Sequence, residues 1–217
     1  AFVVFLTLIT FEFLSISFPL NLLDFYHEGE WLSPAKNYLI TGKIWSGAYF
    51  VYGAFFDVFN PVIAWKIFGK ETIGSSRLFI LILIFFTKVF SLILTFKIAK
   101  LLKSNEITKI IYFALIATLI LFLIEYQFGH SRSYIRYADL PILIFLIFSM
   151  EIILKKNKNL YGFLIGLISS FSLVFALERG IYVNLLILFL LAYFLLRKEF
   201  KIIALILLGL FSSWLIL

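Results

Sequence analysis

Seven apolar runs, set apart by short polar or basic stretches, fill most of this sequence: residues 1–23, 78–96, 110–125, 140–154, 160–177, 181–196 and 202–217. A helix needs about 20 predominantly apolar residues to cross the hydrocarbon core of a bilayer. Within that core every backbone N–H and C=O must be satisfied by the helix itself. The runs therefore predict an all-α fold, a polytopic bundle of about seven transmembrane helices. Hydrophobic residues make up 63% of the chain and charged ones 14%, against nearer half and a quarter in soluble domains. The 28 Phe and the 20% aromatic content suit contact with lipid and anchoring at the interface.

The net charge of +7 does not point to nucleic acid, because most of the basic residues punctuate apolar runs, as they do where membrane topology is encoded. Three short connections are basic: Lys97, Lys100, Lys103 and Lys109; Lys155, Lys156 and Lys158; and Arg197, Lys198 and Lys201. Each joins an even-numbered run to the next odd one, so all three share a side, and the excess of Lys and Arg makes it cytoplasmic. The N-terminus is then cytoplasmic, and residues 21–77, 126–139 and 178–180 face outward. The first run has neither a basic leader nor a small-residue cleavage site, so it reads as a span and not as a signal peptide. The chain starts at Ala1 and stops at Leu217 inside an apolar run. It is expected to be one transmembrane module, residues 1–217, cut from a longer protein. With no cysteine, disulfides and thiolate metal sites are excluded.

The outer loop 21–77 is expected to be ordered. Ser33-Pro34 and Asn60-Pro61 each place a capping residue before a proline, and Gly42 and Gly69 follow a few turns later. This predicts two short amphipathic helices lying on the outer membrane surface, with the aromatic stretch 45–59 between them.

Asp24, His27, Glu28 and Glu30 cluster where the chain leaves the first span. A half-dry carboxylate there can accept a proton from a hydroxyl, although a solvated loop would place charges in the same position. Arg132, Arg136 and Arg179 fall on the same outer side, and a guanidinium suits phosphate by bidentate donation. The alternative is snorkelling, or pairing with Glu125, Asp139 and Glu178, each close in sequence. His130, a lone histidine in a polar loop, carries little signal. Two charges lie inside spans, Glu12 and Lys88, both about 15 Å below the outer end of their runs. Isolated charges at that depth are costly, which predicts that the two pair and fix their helices together.

The block from Asp24 to Arg77 resembles the first outer loop of GT-C glycosyltransferases that use polyprenyl-phosphate sugars, such as lipid A aminoarabinose transferases and protein O-mannosyltransferases. His27-Glu28 stands at the family's acidic Asp-Glu pair. The stretch from Ala35 to Thr41-Gly42 resembles its surface helix, and Pro61 to Trp65 its proline-initiated helix. Ile67-Phe68-Gly69 and Ser75-Ser76-Arg77-Leu78 resemble its closing turn. The likeness covers about the first hundred residues and is one of pattern; His27 stands where the family has Asp.

The resemblance implies an inverting sugar transfer on the extracytoplasmic face of a multi-pass protein, in a bacterial inner or plasma membrane. The donor would be a polyprenyl-phosphate sugar, and the acceptor a hydroxyl on lipid, glycan or protein. Glu28 is the first candidate for the base and Asp24 the second. His27 and Glu30 would orient the acceptor or bind a divalent cation, Mg or Mn, which some relatives need and others do not. Arg132, Arg136 and Arg179 would hold the phosphate. The competing reading is a transporter or lipid flippase with Glu12 and Lys88 in its path, but no span is interrupted by paired Gly or Pro near mid-membrane. A third is a scaffold without catalytic function.

Overall fold

The computed structural model describes residues 1–16, 25–44, 53–124, 138–154 and 157–216, and for residues 25–28, 30, 31 and 216 the backbone alone. Among them the regular structure is entirely helical: α1 (Phe2–Leu14), α2 (Phe25–Thr41), a π-helical turn (Phe55–Phe59) running into α3 (Asn60–Phe68), α4 (Ile73–Leu101), α5 (Glu106–Leu123), α6 (Leu140–Ile153), α7 (Lys158–Phe175), α8 (Leu177–Leu196) and α9 (Phe200–Ile216). Four of these, α4, α5, α7 and α8, are long and apolar enough to cross a membrane, which marks the chain as a membrane protein. The other three expected spans form apolar helices of 13, 14 and 17 residues, α1, α6 and α9. At 1.5 Å per residue they reach about 20–26 Å, short of a core of roughly 30 Å.

The chain divides into two compact units. The first comprises Ala1–Tyr49 and Val58–Leu140. There α4 is the central element, with α1, α3 and α5 packed on it and α2 on α3. Ile9, Leu92, Ala99, Phe113 and Ala117 form its core, ringed by Phe2, Phe5, Phe85 and Phe96. Phe2 lies tilted 5.0 Å from Phe96, and Phe5 meets Phe113 edge-on at 5.7 Å, the geometry in which the positive edge of one ring faces the negative face of another. On the far sides of these helices Phe11 is 70% exposed and Phe122 72%, as side chains that meet lipid would be.

The second unit comprises Phe50–Asp57 and Pro141–Leu217. Its core gathers Phe145, Ile152, Ile165, Ile168, Val183, Ile187, Phe194, Ile202 and Ile206 from α6 to α9. α7 and α9 approach until backbone meets backbone: a Cβ on Gly166 would sit 2.1 Å from the Ile206 carbonyl oxygen, and one on Gly209 2.1 Å from that of Phe163. In lipid there is no hydrophobic drive between helices, so close van der Waals packing at small residues supplies the attraction. Asn184 adds polar contacts between α7 and α8. Its Nδ2 donates to the carbonyls of Ser169 (3.1 Å) and Gly180 (2.8 Å), while the Ser169 hydroxyl donates to its Oδ1.

The expected intramembrane pair is present. Lys88 Nζ donates to both carboxylate oxygens of Glu12 at 2.7 Å and reaches the Leu121 carbonyl at 3.4 Å, so one ammonium ties α1, α4 and α5 together. The Lys88 side chain is fully buried and that of Glu12 is 36% exposed.

Three local expectations are corrected. Ser33-Pro34 does not start a helix, because Pro34 lies inside α2, whose first residue is Phe25. Pro34 cannot donate to the carbonyl four residues back. The helix continues through it, and the Ser33 hydroxyl donates to the Gly29 carbonyl at 2.5 Å. Residues 178–180 are not the connection between two spans: the break falls on Ala176, extended at φ −151°, ψ 115°, and Glu178, Arg179 and Gly180 form the first turn of α8. Asn60, expected to cap the second loop helix, is instead the first residue of α3, and the cap position falls on Phe59 with no side-chain cap bond. The glycine stops hold: Gly42 and Gly69 close α2 and α3 with φ near +67°, a left-handed turn that only glycine adopts without strain.

Candidate functional site

The acidic segment is helical. His27, Glu28 and Glu30 occupy the first two turns of α2, where an unbroken helix carries them into the later turns of the same element. Those later turns, with Gly29, Leu32, Ser33 and Lys36, form one wall of an open cleft of about 310 Å³, closed on the other side by Trp65 and Glu71. Glu28 directly precedes Gly29 and stands one helical turn before Leu32, so it belongs to the helix that lines the cleft.

Local chemistry fixes the opposite wall. Pro61 sits in the first turn of α3, and its ring presets a helical φ where no N–H partner is needed. Gly69 then turns the chain, and Thr72 caps α4, its hydroxyl accepting from Ser75 N at 3.1 Å and lying 2.8 Å from the Ser75 hydroxyl. Trp65 Nε1 donates to the Thr72 carbonyl at 3.0 Å, locking the indole onto this turn. Lys36 of α2 forms an ion pair with Glu71 across the cleft, both side chains about half exposed.

Arg179 belongs to the second unit. Its Nη1 is 3.0 Å from Glu178 Oε1, which also accepts from the Tyr182 hydroxyl at 3.4 Å, and its guanidinium carbon stands 5.9 Å from the Tyr182 ring centre. Pairing with Glu178, one of the two expectations for this arginine, is what is seen. The Arg179 side chain is 21% exposed, and it projects from the amino end of a 20-residue helix, where oriented N–H groups favour an anion. Asp24, Arg132, Arg136 and His130 lie outside the described residues. Among the described residues, no group of three His, Asp or Glu side chains is arranged to hold a metal ion.

Three buried charges escaped the sequence reading, Glu151 of α6 among them at 8% exposed. Asp57, in the π-helical turn, is 5% exposed and accepts from Gly53 N at 3.1 Å; Arg77, in the first turn of α4, is 4% exposed. Both occur in a loop whose charges look solvated in sequence. For Arg77 a signal existed, because a 29-residue helix that begins at Ile73 carries the Ser75-Ser76-Arg77 segment into packed structure. Compared with protein-family models, with curated proteins and with solved structures, the chain matches none of them.

Proposed function

We propose that this chain is the membrane module of a GT-C-type glycosyltransferase, moving a sugar from a polyprenyl-phosphate donor to a hydroxyl on a lipid, glycan or protein acceptor at the extracytoplasmic face. Seven spans, a cytoplasmic N-terminus and a bacterial inner or plasma membrane belong to the same proposal. The observation that carries it is the placement of Glu28 in α2, the next described helix after the first apolar one, which goes on to wall an open cleft. The proline-initiated α3, the Gly69 turn and the capped start of α4 follow in the order the resemblance implies.

In the proposed reaction the Glu28 carboxylate takes the proton of the acceptor hydroxyl as its oxygen attacks the anomeric carbon. The bond from that carbon to the phosphate oxygen breaks with inversion, and the electron pair leaves on the polyprenyl phosphate. Arg179 stabilises the leaving phosphate, with Arg132 and Arg136 in the same role, and His27 and Glu30 orient the acceptor. Asp24 is the alternative base. The buried, doubly bonded Lys88 supports a structural role for the intramembrane pair over a place in a transport path.

The test is transfer from a polyprenyl-phosphate sugar by the full-length protein in membranes. Glu28→Gln keeps the shape and removes the proton acceptor, so turnover falls about a hundredfold or more, the scale of a lost general base. Wild-type turnover in Glu28→Gln with loss in Asp24→Asn would move the base to Asp24, and full activity in both would end the transferase reading. Chelation with EDTA decides whether Mg or Mn takes part.

A further inference from the structure

Arg179 depends on the elbow between α7 and α8, and that elbow is held by a segment far away in sequence. At Ala176 the helical path breaks, its carbonyl accepting from Gly180 N at 2.8 Å to begin α8. Against it lies Gly53, at φ +147°, which side-chain-bearing residues rarely adopt. A Cβ there would stand 3.1 Å from Ala176 Cα and 3.2 Å from both Leu177 N and the Phe175 carbonyl oxygen. The glycine thus lies flat on the backbone of the elbow.

One residue takes up both backbone groups of Gly53: Asp57 Oδ2 accepts from its N–H at 3.1 Å, and Asp57 N donates to its carbonyl at 2.9 Å. The turn that carries Asp57 is π-helical, a rare form found mostly as single turns, frequently at functional sites. From the same turn, Phe55 stacks on Phe175, the last residue of α7, with ring centres 4.4 Å apart and planes 14° from parallel. On the other side of the elbow the first turn of α8 has no room to shift, since a Cβ on Gly180 would come within 2.5 Å of Leu173 Cα.

We propose that residues 53–57 form a positioning latch that sets the angle of the first turn of α8 and so aims Arg179 at the donor phosphate. The latch rests on the reading of Arg179 as a phosphate ligand, and its residues touch the elbow, not the donor. The experiment measures the affinity of the full chain in detergent for undecaprenyl phosphate and for undecaprenol, which share a tail and differ in the phosphate. The wild type prefers the phosphate; Arg179→Ala lowers that preference about tenfold. Gly53→Ala, whose methyl group meets the elbow backbone, and Phe55→Leu, which removes the stack with little change in apolar bulk, lower it similarly and leave undecaprenol binding unchanged. Gly53→Ala combined with Arg179→Ala falls no further than Arg179→Ala alone. Should Gly53→Ala fail to fold, Phe55→Leu carries the test. Undiminished preference in Arg179→Ala overturns the phosphate reading itself. Loss in Arg179→Ala beside full preference in both latch variants, or additive losses in the double variant, overturns the latch alone.

Discussion

Replacing Glu12 by Gln should be among the most destabilising single changes in the first unit, and the reason can be worked from the geometry. Lys88 is fully buried, and its ammonium has both Glu12 oxygens at 2.7 Å, with the Leu121 carbonyl at a long 3.4 Å. Glu12→Gln takes away the negative charge that faces this buried cation and puts a neutral amide in its place. Breaking a buried pair by removing one partner costs about 3–5 kcal/mol, because the survivor stays charged. Lys88→Met strands a carboxylate that is one third exposed, so it costs less, nearer the ~2.5–3.5 kcal/mol of a single charge at the centre of a membrane helix. The double variant Glu12→Gln, Lys88→Met removes both charges and should recover most of the loss. A coupling energy of about 2 kcal/mol or more follows, where independent sites couple by less than ~0.5. At roughly 2–4 °C per kcal/mol for a chain of this size, a 3 kcal/mol loss lowers Tm by about 6–12 °C. Thermal unfolding of the detergent-solubilised protein, with all four members of the cycle at equal concentration, reads this directly. Strictly additive single changes, or a Glu12→Gln Tm within 2 °C of wild type, would refute the reasoning, since the pair would then be ornamental.

Gly166→Ala and Gly209→Ala should each lower Tm by several degrees, because each new methyl group meets backbone at 2.1 Å, whereas Gly162→Ala, with its nearest neighbour at 3.5 Å, should stay near wild type in the same assay. Asn184→Leu should destabilise the second unit by about 1–2 kcal/mol through the loss of its contacts to Ser169 and Gly180, read as a lower unfolding midpoint. For topology, cysteine placed at the exposed Lys43 should react with an impermeant thiol reagent in intact cells and cysteine at the exposed Ser104 should not; the opposite pattern would invert the membrane orientation and remove the extracytoplasmic reaction with it.

What could be read from sequence was what the solvent dictates. A bilayer demands long apolar runs, so every expected span contains a helix, and it penalises lone charges, so Glu12 and Lys88 found each other from matching depths. Glycine at a helix end was legible for a conformational reason, and both Gly42 and Gly69 stand left-handed where α2 and α3 stop. Proline was ambiguous because the same ring suits the first turn of a helix and is tolerated inside one when neighbours compensate. Pro61 took the first course, in the first turn of α3, although Phe59 and not Asn60 holds the cap position; Pro34 took the second, with Ser33 bonded to the carbonyl of Gly29. The outcome matters for the site, since only the second keeps the acidic segment and the cleft wall on one helix.

The remainder was hidden because it depends on partners distant in the chain. Gly162 and Gly166 form a small-xxx-small spacing that signals a close helix contact, but nothing near them names Gly209 as the residue opposite. Charged residues mark the first turn of α8 as a solvated connection, whereas the chain breaks at Ala176, a residue without any turn preference. Its conformation is imposed by what packs on it: Gly53 on its backbone and Phe55 on the ring of Phe175. Asp57 looks like one more loop acid until its carboxylate is seen on the Gly53 amide, which is why a residue 5% exposed reads as solvated in sequence. A side chain that acts by closing a turn leaves no periodic trace, for the hydrophobic pattern records which face meets lipid and not which backbone atom is held. The residues that aim a functional group are therefore harder to find in this chain than the group itself: Arg179 stands out as a cation at an apolar boundary, and the segment that sets its direction does not.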